Sequence, residues 1–99
     1  MNKTNSSDIT VGIPFYRQTI PSELIDSITS ILNQSCPADE IHLIQDGPVD
    51  KGLQKVVDKY KNQSNIKLII LNKVGLPMAL NTSIKMTKTR YYARMDSDD

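Results

Sequence analysis

The sequence predicts an α/β fold, a three-layer sandwich on a mostly parallel sheet in the order β-α-β-α-β-α-β. Three observations carry this expectation. Short runs with strand-like apolar content stand at Ile9–Ile13, Glu40–Gln45, Ile66–Leu71 and Tyr91–Met95. Between them lie three stretches whose apolar residues recur at helical spacing. Turn or break signals, among them Cys36-Pro37, Asp46-Gly47-Pro48, Asn62–Asn65 and Gly75, stand at the junctions. Strands alternating with helices imply parallel pairing through right-handed crossovers.

Each element has a local reason. Ile9, Val11 and Ile13 alternate, and Pro14 is expected to stop that run. Phe15 to Ile20 reads as a loop. Leu24, Ile25, Ile28, Ile31 and Leu32 then share one face of a helix that opens at Pro21. Pro21 and Ser22 suit its first turn, and Glu23 and Asp26 suit its positive dipole end. Ile41, Leu43 and Ile44 give the second strand. Leu53, Val56, Val57 and Tyr60 mark a second helix, with Asp50 as its N-cap. The nearly continuous apolar run from Ile66 to Leu71 predicts a strand buried on both faces. Leu76, Leu80 and Ile84 fall on one side of a third helix, and Tyr91 to Met95 forms the last strand.

Bulk properties narrow the function. Ninety-nine residues make one small domain, expected over residues 9–99 behind a polar, disordered leader at 1–8. The net charge is +1, from 12 basic and 11 acidic side chains, which offers no electrostatic case for nucleic acid. No stretch approaches the roughly 18 apolar residues of a membrane span, and the polar residues 1–8 are not expected to act as a signal peptide. Cys36 is the one cysteine, so an internal disulfide is impossible and a reducing, cytoplasmic location fits.

Open parallel sheets bind ligands beyond the carboxyl ends of their strands. Here those ends carry Pro14-Phe15-Tyr16, Asp46-Gly47-Pro48, Leu71-Asn72 and Asp96-Ser97-Asp98-Asp99. Three carboxylates within four residues repel one another unless a cation sits among them. Asp96, Asp98 and Asp99 are therefore either a hard-oxygen site for Mg²⁺ or Mn²⁺ or a solvated acidic end. Asp46 is a turn residue, an acceptor for a base N–H or ribose hydroxyl, or both. Tyr16 is placed to pack beside a base, and Arg17 to face a phosphate, unless the loop is an ordinary strand-to-helix connection. Arg94 either offsets the acidic cluster or makes a structural salt bridge. His42, inside the second strand, reads as structural. No Gly-rich phosphate loop of the Rossmann or Walker type occurs.

In order, these motifs resemble the N-terminal half of family 2 glycosyltransferases, inverting enzymes of the GT-A fold. Ile13-Pro14-Phe15-Tyr16 is similar to the family's opening V-P-x-Y-N, with Arg17 in place of Asn. Ser27 to Pro37 resembles its S-I-L-N-Q-T-Y-P segment. Glu40 to Asp50 resembles E-I-I-V-V-D-D-G-S-T-D, with Gln45 for the first Asp of the pair and Pro48 for Ser. Asn72 through Asn81 is similar to N-x-G-x-x-x-A-x-N, and Arg94 to Asp99 resembles the D-x-D-D signature.

The resemblance implies a nucleotide-diphospho-sugar donor, usually a UDP-sugar. It also implies a saccharide or lipid-linked saccharide acceptor and a divalent cofactor, Mn²⁺ or Mg²⁺. It assigns Pro14, Tyr16, Asp46, Asp96 and Asp98 to the nucleotide sugar, and Asp96, Asp98 and Asp99 to the metal. It points to a hexosyltransferase of bacterial polysaccharide synthesis. The full-length protein is then expected in the cytoplasm or at the cytoplasmic face of the inner membrane. The family's general base falls downstream of the D-x-D-D segment, so the chain is expected to be an inactive, donor-binding fragment. Two rivals are weighed against this. A receiver-like regulatory module would place an acidic pair after the first strand, where Pro14 stands. A related nucleotidyltransferase would carry a Gly-rich basic loop at Phe15 to Ile20, which is neither.

Overall fold

The computed structural model describes residues 7–97. Its elements are β1 (Ile9–Phe15), α1 (Pro21–Leu32), β2 (Glu40–Asp46), α2 (Lys51–Tyr60), β3 (Ile66–Leu71), α3 (Leu76–Lys85) and β4 (Tyr91–Arg94). The four strands form one parallel sheet in the order β3-β2-β1-β4. The expected α/β architecture and parallel pairing are both present.

Alternation along the strands sorts side chains to two faces. Ile13, Phe15, Ile41, Leu43 and Ile66 meet α1 and α2 in the main apolar core. Leu24, Ile28 and Ile31 supply that core from α1, and Leu53, Val56, Val57 and Tyr60 from α2. Each such side chain contributes about 1.5–3 kcal/mol by leaving water. Asp50 caps α2 as expected, accepting the Leu53 N–H at 3.0 Å.

Pro14 does not end β1; the strand runs one residue further, through Phe15. The reason lies in the pairing. Gly12 points its carbonyl toward β4, where it accepts the Met95 N–H at 3.0 Å. Pro14 lies two residues on and directs its nitrogen the same way. The β4 ladder has already stopped at Gly12 opposite Arg94, so the missing N–H costs no ladder bond.

β3 departs from expectation as well. It is an edge strand, and Lys67 and Ile70 are exposed, Ile70 by 62%. Full burial needs cover on both faces, and α3 lies over β2 and β1 instead. On α3 the side that meets the sheet is Ala79 and Ser83, while Leu76 and Ile84 face outward. Ser7 and Asp8, within the stretch read as leader, are hydrogen-bonded: Ser7 donates to Asp39 and to the Pro37 carbonyl, and Asp8 accepts the Arg90 N–H. The rest of that leader, residues 1–6, lies outside the described residues.

Candidate functional site

The connections from β1 and β2 cross one face of the sheet, under α1 and α2, and the connection from β3 to β4 crosses the other, under α3. Strand order therefore reverses between β1 and β4, and their carboxyl ends part around a crevice. A cleft of about 630 Å³ opens there. Its walls come from Pro14 to Tyr16 and Gln18 to Ile20 after β1, Glu23 on α1, and Asp46 after β2. Gly75, Leu76 and Ala79 of α3, and Arg94, Asp96 and Ser97 after β4, complete them. Four of the expected site residues, Pro14, Tyr16, Asp46 and Asp96, thus share one cavity. Asp98 and Asp99 lie outside the described residues. Arg17 and Asn72 do not line the cleft.

The Tyr16 ring stands half exposed at the rim. A tight turn holds its backbone: Tyr16 N–H donates to Thr19 Oγ1 at 3.1 Å, and Thr19 N–H returns to the Tyr16 carbonyl at 2.9 Å. Its hydroxyl donates to Gln18 Oε1 at 3.3 Å.

Asp46 is more than a turn residue. Its Oδ1 accepts the Val74 N–H at 2.7 Å, and its Oδ2 accepts the Gly75 N–H at 2.9 Å. The carboxylate so bridges the end of β2 to the start of α3, where the helix dipole favours negative charge. The loop it grips is tightly folded. Lys73 and Gly75 both have positive φ, 52° and 89°. Gly47, also at positive φ, lies so close beneath Lys73 that a Cβ there would stand 2.5 Å from its Cγ. Buried Gln45, in the place of a family Asp, braces this turn by donating to the Gly47 carbonyl at 3.2 Å.

Asp96 is held by its backbone from α1. Ser27 Oγ, buried in the helix face, donates to the Asp96 carbonyl at 3.2 Å. One turn on, Ser30 reaches Met95 Sδ at 3.8 Å. The carboxylate itself accepts from Arg94 Nε at 2.7 Å. Sequence reading had placed both serines only within a motif. Their contacts were hidden because a helix residue's long-range partner does not follow from spacing. Glu23 was read as a dipole partner, and it also lines the cleft.

Carboxylate and hydroxyl oxygens at Asp96, Ser97 and Thr19 are hard donors, which fit Mg²⁺ or Mn²⁺ in kind. Among the described residues no cluster of three or more His, Cys, Asp or Glu is close enough to hold an ion. Asp96 is the described member of the expected metal set.

A second polar cluster lies away from the cleft. His42 Nδ1 is 2.7 Å from Ser83 Oγ, and His42 Nε2 is 2.6 Å from Glu40 Oε1. This order resembles a Ser-His-Glu nucleophile system. Ser83 and His42 are fully buried, however, and Ser83 Oγ also accepts from Tyr92 Oη at 2.8 Å. No substrate atom can reach that oxygen, so the cluster is structural, as the lone histidine suggested. Burial pushes the Tyr92 hydroxyl above its usual pKa of 10.0, and the Ser83 contact opposes that only in part.

Comparison with known proteins adds an independent line. The model of the family described as "Glycosyl transferase family 2" matches residues 10–99. The amylovoran biosynthesis glycosyltransferase AmsE of Erwinia amylovora is 36% identical over 90 residues, 90% of this chain and 34% of that protein. The UDP-Gal:alpha-D-GlcNAc-diphosphoundecaprenol beta-1,3-galactosyltransferase of Escherichia coli is 33% identical over 90% of this chain and 33% of its own length. Among solved structures, S. aureus TarS superposes with a TM-score of 0.67 at 25% identity, covering 91% of this chain and 16% of that one. The chain spans about a third of the length of these two curated relatives.

Proposed function

Because the chain belongs to glycosyl transferase family 2, we propose that it is the donor-binding part of an inverting hexosyltransferase acting in bacterial polysaccharide synthesis in the cytoplasm. The donor is a nucleotide-diphospho-sugar, a UDP-sugar first of all, and the acceptor is a hydroxyl of a saccharide or lipid-linked saccharide. One observation carries the reading: Asp46 and Asp96, from different strands, open onto the same cleft at the reversal of strand order. The substrates named for the Escherichia coli relative support this donor and acceptor class.

In this reading Pro14, Tyr16 and Asp46 hold the nucleoside. Tyr16 presents a ring face to the base. Asp46 keeps the Val74–Gly75 peptides in place and retains lone pairs for a base N–H or ribose hydroxyl. Asp96, with Asp98 and Asp99, would hold a divalent ion, which would neutralise charge on the departing diphosphate. Ser27 fixes the Asp96 backbone, so that only the side chain has to move to meet the ligand. The acceptor hydroxyl attacks the anomeric carbon in line as the nucleoside diphosphate leaves, and its proton passes to the general base that the family places downstream of the D-x-D-D segment.

Titration of UDP, GDP and CTP, with and without Mn²⁺, tests this. UDP binding that Mn²⁺ strengthens is the expected result. Indifference to every nucleotide overturns it and favours a module without a donor site.

A further inference from the structure

Resting on the donor-binding reading, we propose that Arg94 is a positioning residue with two alternative partners: the Asp96 carboxylate, and the donor's diphosphate when Asp96 turns to a divalent cation.

Arg94 closes β4, opposite Gly12 in the register. Met95, between the two polar residues, packs against the main core. Arg94 and Asp96 thus leave the chain on the same side, two residues apart. Their bond is short, Nε to Oδ1 at 2.7 Å, yet the side chains are 46% and 40% exposed. A pair so open to water adds little to folding. Its location matters more. Arg94 is the single Lys or Arg among the described residues lining the cleft, alongside Glu23, Asp46 and Asp96.

A diphosphate entering that space meets three carboxylates. It needs cationic partners, and among the described residues lining the cleft Arg94 is the side chain that offers one. A carboxylate oxygen that accepts from a guanidinium is a poorer ligand for a metal ion, because the two cations repel at the same atom. Commitment of Asp96 to a divalent ion therefore loosens Arg94. Its planar fork of five donors matches two phosphate oxygens, a geometry Lys does not share. The guanidinium so released stays within the cleft wall, beside the carboxylate that gave it up.

Calorimetric titration of the full chain separates the two duties. Arg94→Gln is expected to bind Mn²⁺ alone about two- to fivefold more tightly, since a competing surface ion pair is gone. With saturating Mn²⁺ it is expected to bind UDP about tenfold more weakly, from the lost charge-assisted bonds, and uridine unchanged. Arg94→Lys should restore part of the Mn²⁺ competition and little of the UDP affinity. Circular dichroism of both variants checks that the fold is retained. Unchanged or weaker Mn²⁺ binding by Arg94→Gln overturns the exchange, as does equal weakening of UDP and uridine. Failure of the unsubstituted chain to bind UDP with Mn²⁺ defeats the donor reading first, and this inference with it.

Discussion

The two faces of the sheet are built on different principles. One is covered by α1 and α2 and filled with fully buried aliphatic side chains, Leu24, Ile28, Leu43 and Leu53 among them. The other is covered by α3 alone. Beneath it lie Gly12, His42 and Tyr92; the Ser83 hydroxyl of α3 is joined to His42 and Tyr92, and His42 to Glu40, by hydrogen bonds of 2.6–2.8 Å. Apolar burial is non-directional and tolerates small shifts. A buried polar chain is directional and is stable only when every member is satisfied. Among the described residues no buried side-chain polar atom lacks a partner. The first face therefore supplies most of the folding energy. The second fixes where α3 stands, and with it the Gly75–Ala79 wall of the cleft.

Substitutions on each face can break this contrast. Ile28→Ala on the apolar face should cost about 2–5 kcal/mol, read as a lower denaturant midpoint with an unchanged slope. A loss below 1 kcal/mol there would mean that the apolar face is not the main support. Gly12→Ala on the polar face should cost about 1–3 kcal/mol, because a Cβ at that position collides with the Tyr92 hydroxyl. In a double-mutant cycle, Tyr92→Phe should recover part of that cost. Additive losses would show that the Gly12 space is not made for Tyr92.

The smallest effect sharpens the contrast by pH. Burial, above all, raises the pKa of Tyr92 in the fold above its usual value of 10.0. Its protonated form is thus favoured in the fold. The stabilisation is fully present below pH 10 and is lost as pH rises through the folded pKa. Melting temperatures measured from pH 8 to 11 should fall more steeply for the unsubstituted chain than for Tyr92→Phe. Parallel curves would remove the titrating hydroxyl from the account.

The apolar face was legible from the sequence because its logic is periodic. The α1 stripe, the alternation in β1 and the Asp50 cap depend on neighbours two to four residues away. The polar face was not legible, because its logic depends on partners brought together by folding. Leu76, Leu80 and Ile84 shared a side of α3, but the sheet beneath is polar and close, so Ala79 and Ser83 face it instead. The run Ile66–Leu71 suggested a central strand, and an edge position left Ile70 outside. At the site, the strand-end rule brought Asp46 and Asp96 to one cleft. The rule could not see that Val74 and Gly75 would occupy both oxygens of Asp46, or that Arg94 would turn back on Asp96.

The grip of Asp46 on two peptide N–H groups has an evolutionary corollary. Those donors belong to the main chain, so they survive nearly any exchange of side chains at positions 73 and 74. Position 74 can vary while the anchorage stays constant; at 73 the positive φ of 52° narrows the choice. Proline at 74 is the exception, since it alone deletes the donor. A change of side chain at 74 thus alters the surface of that short stretch without rebuilding the frame that holds it.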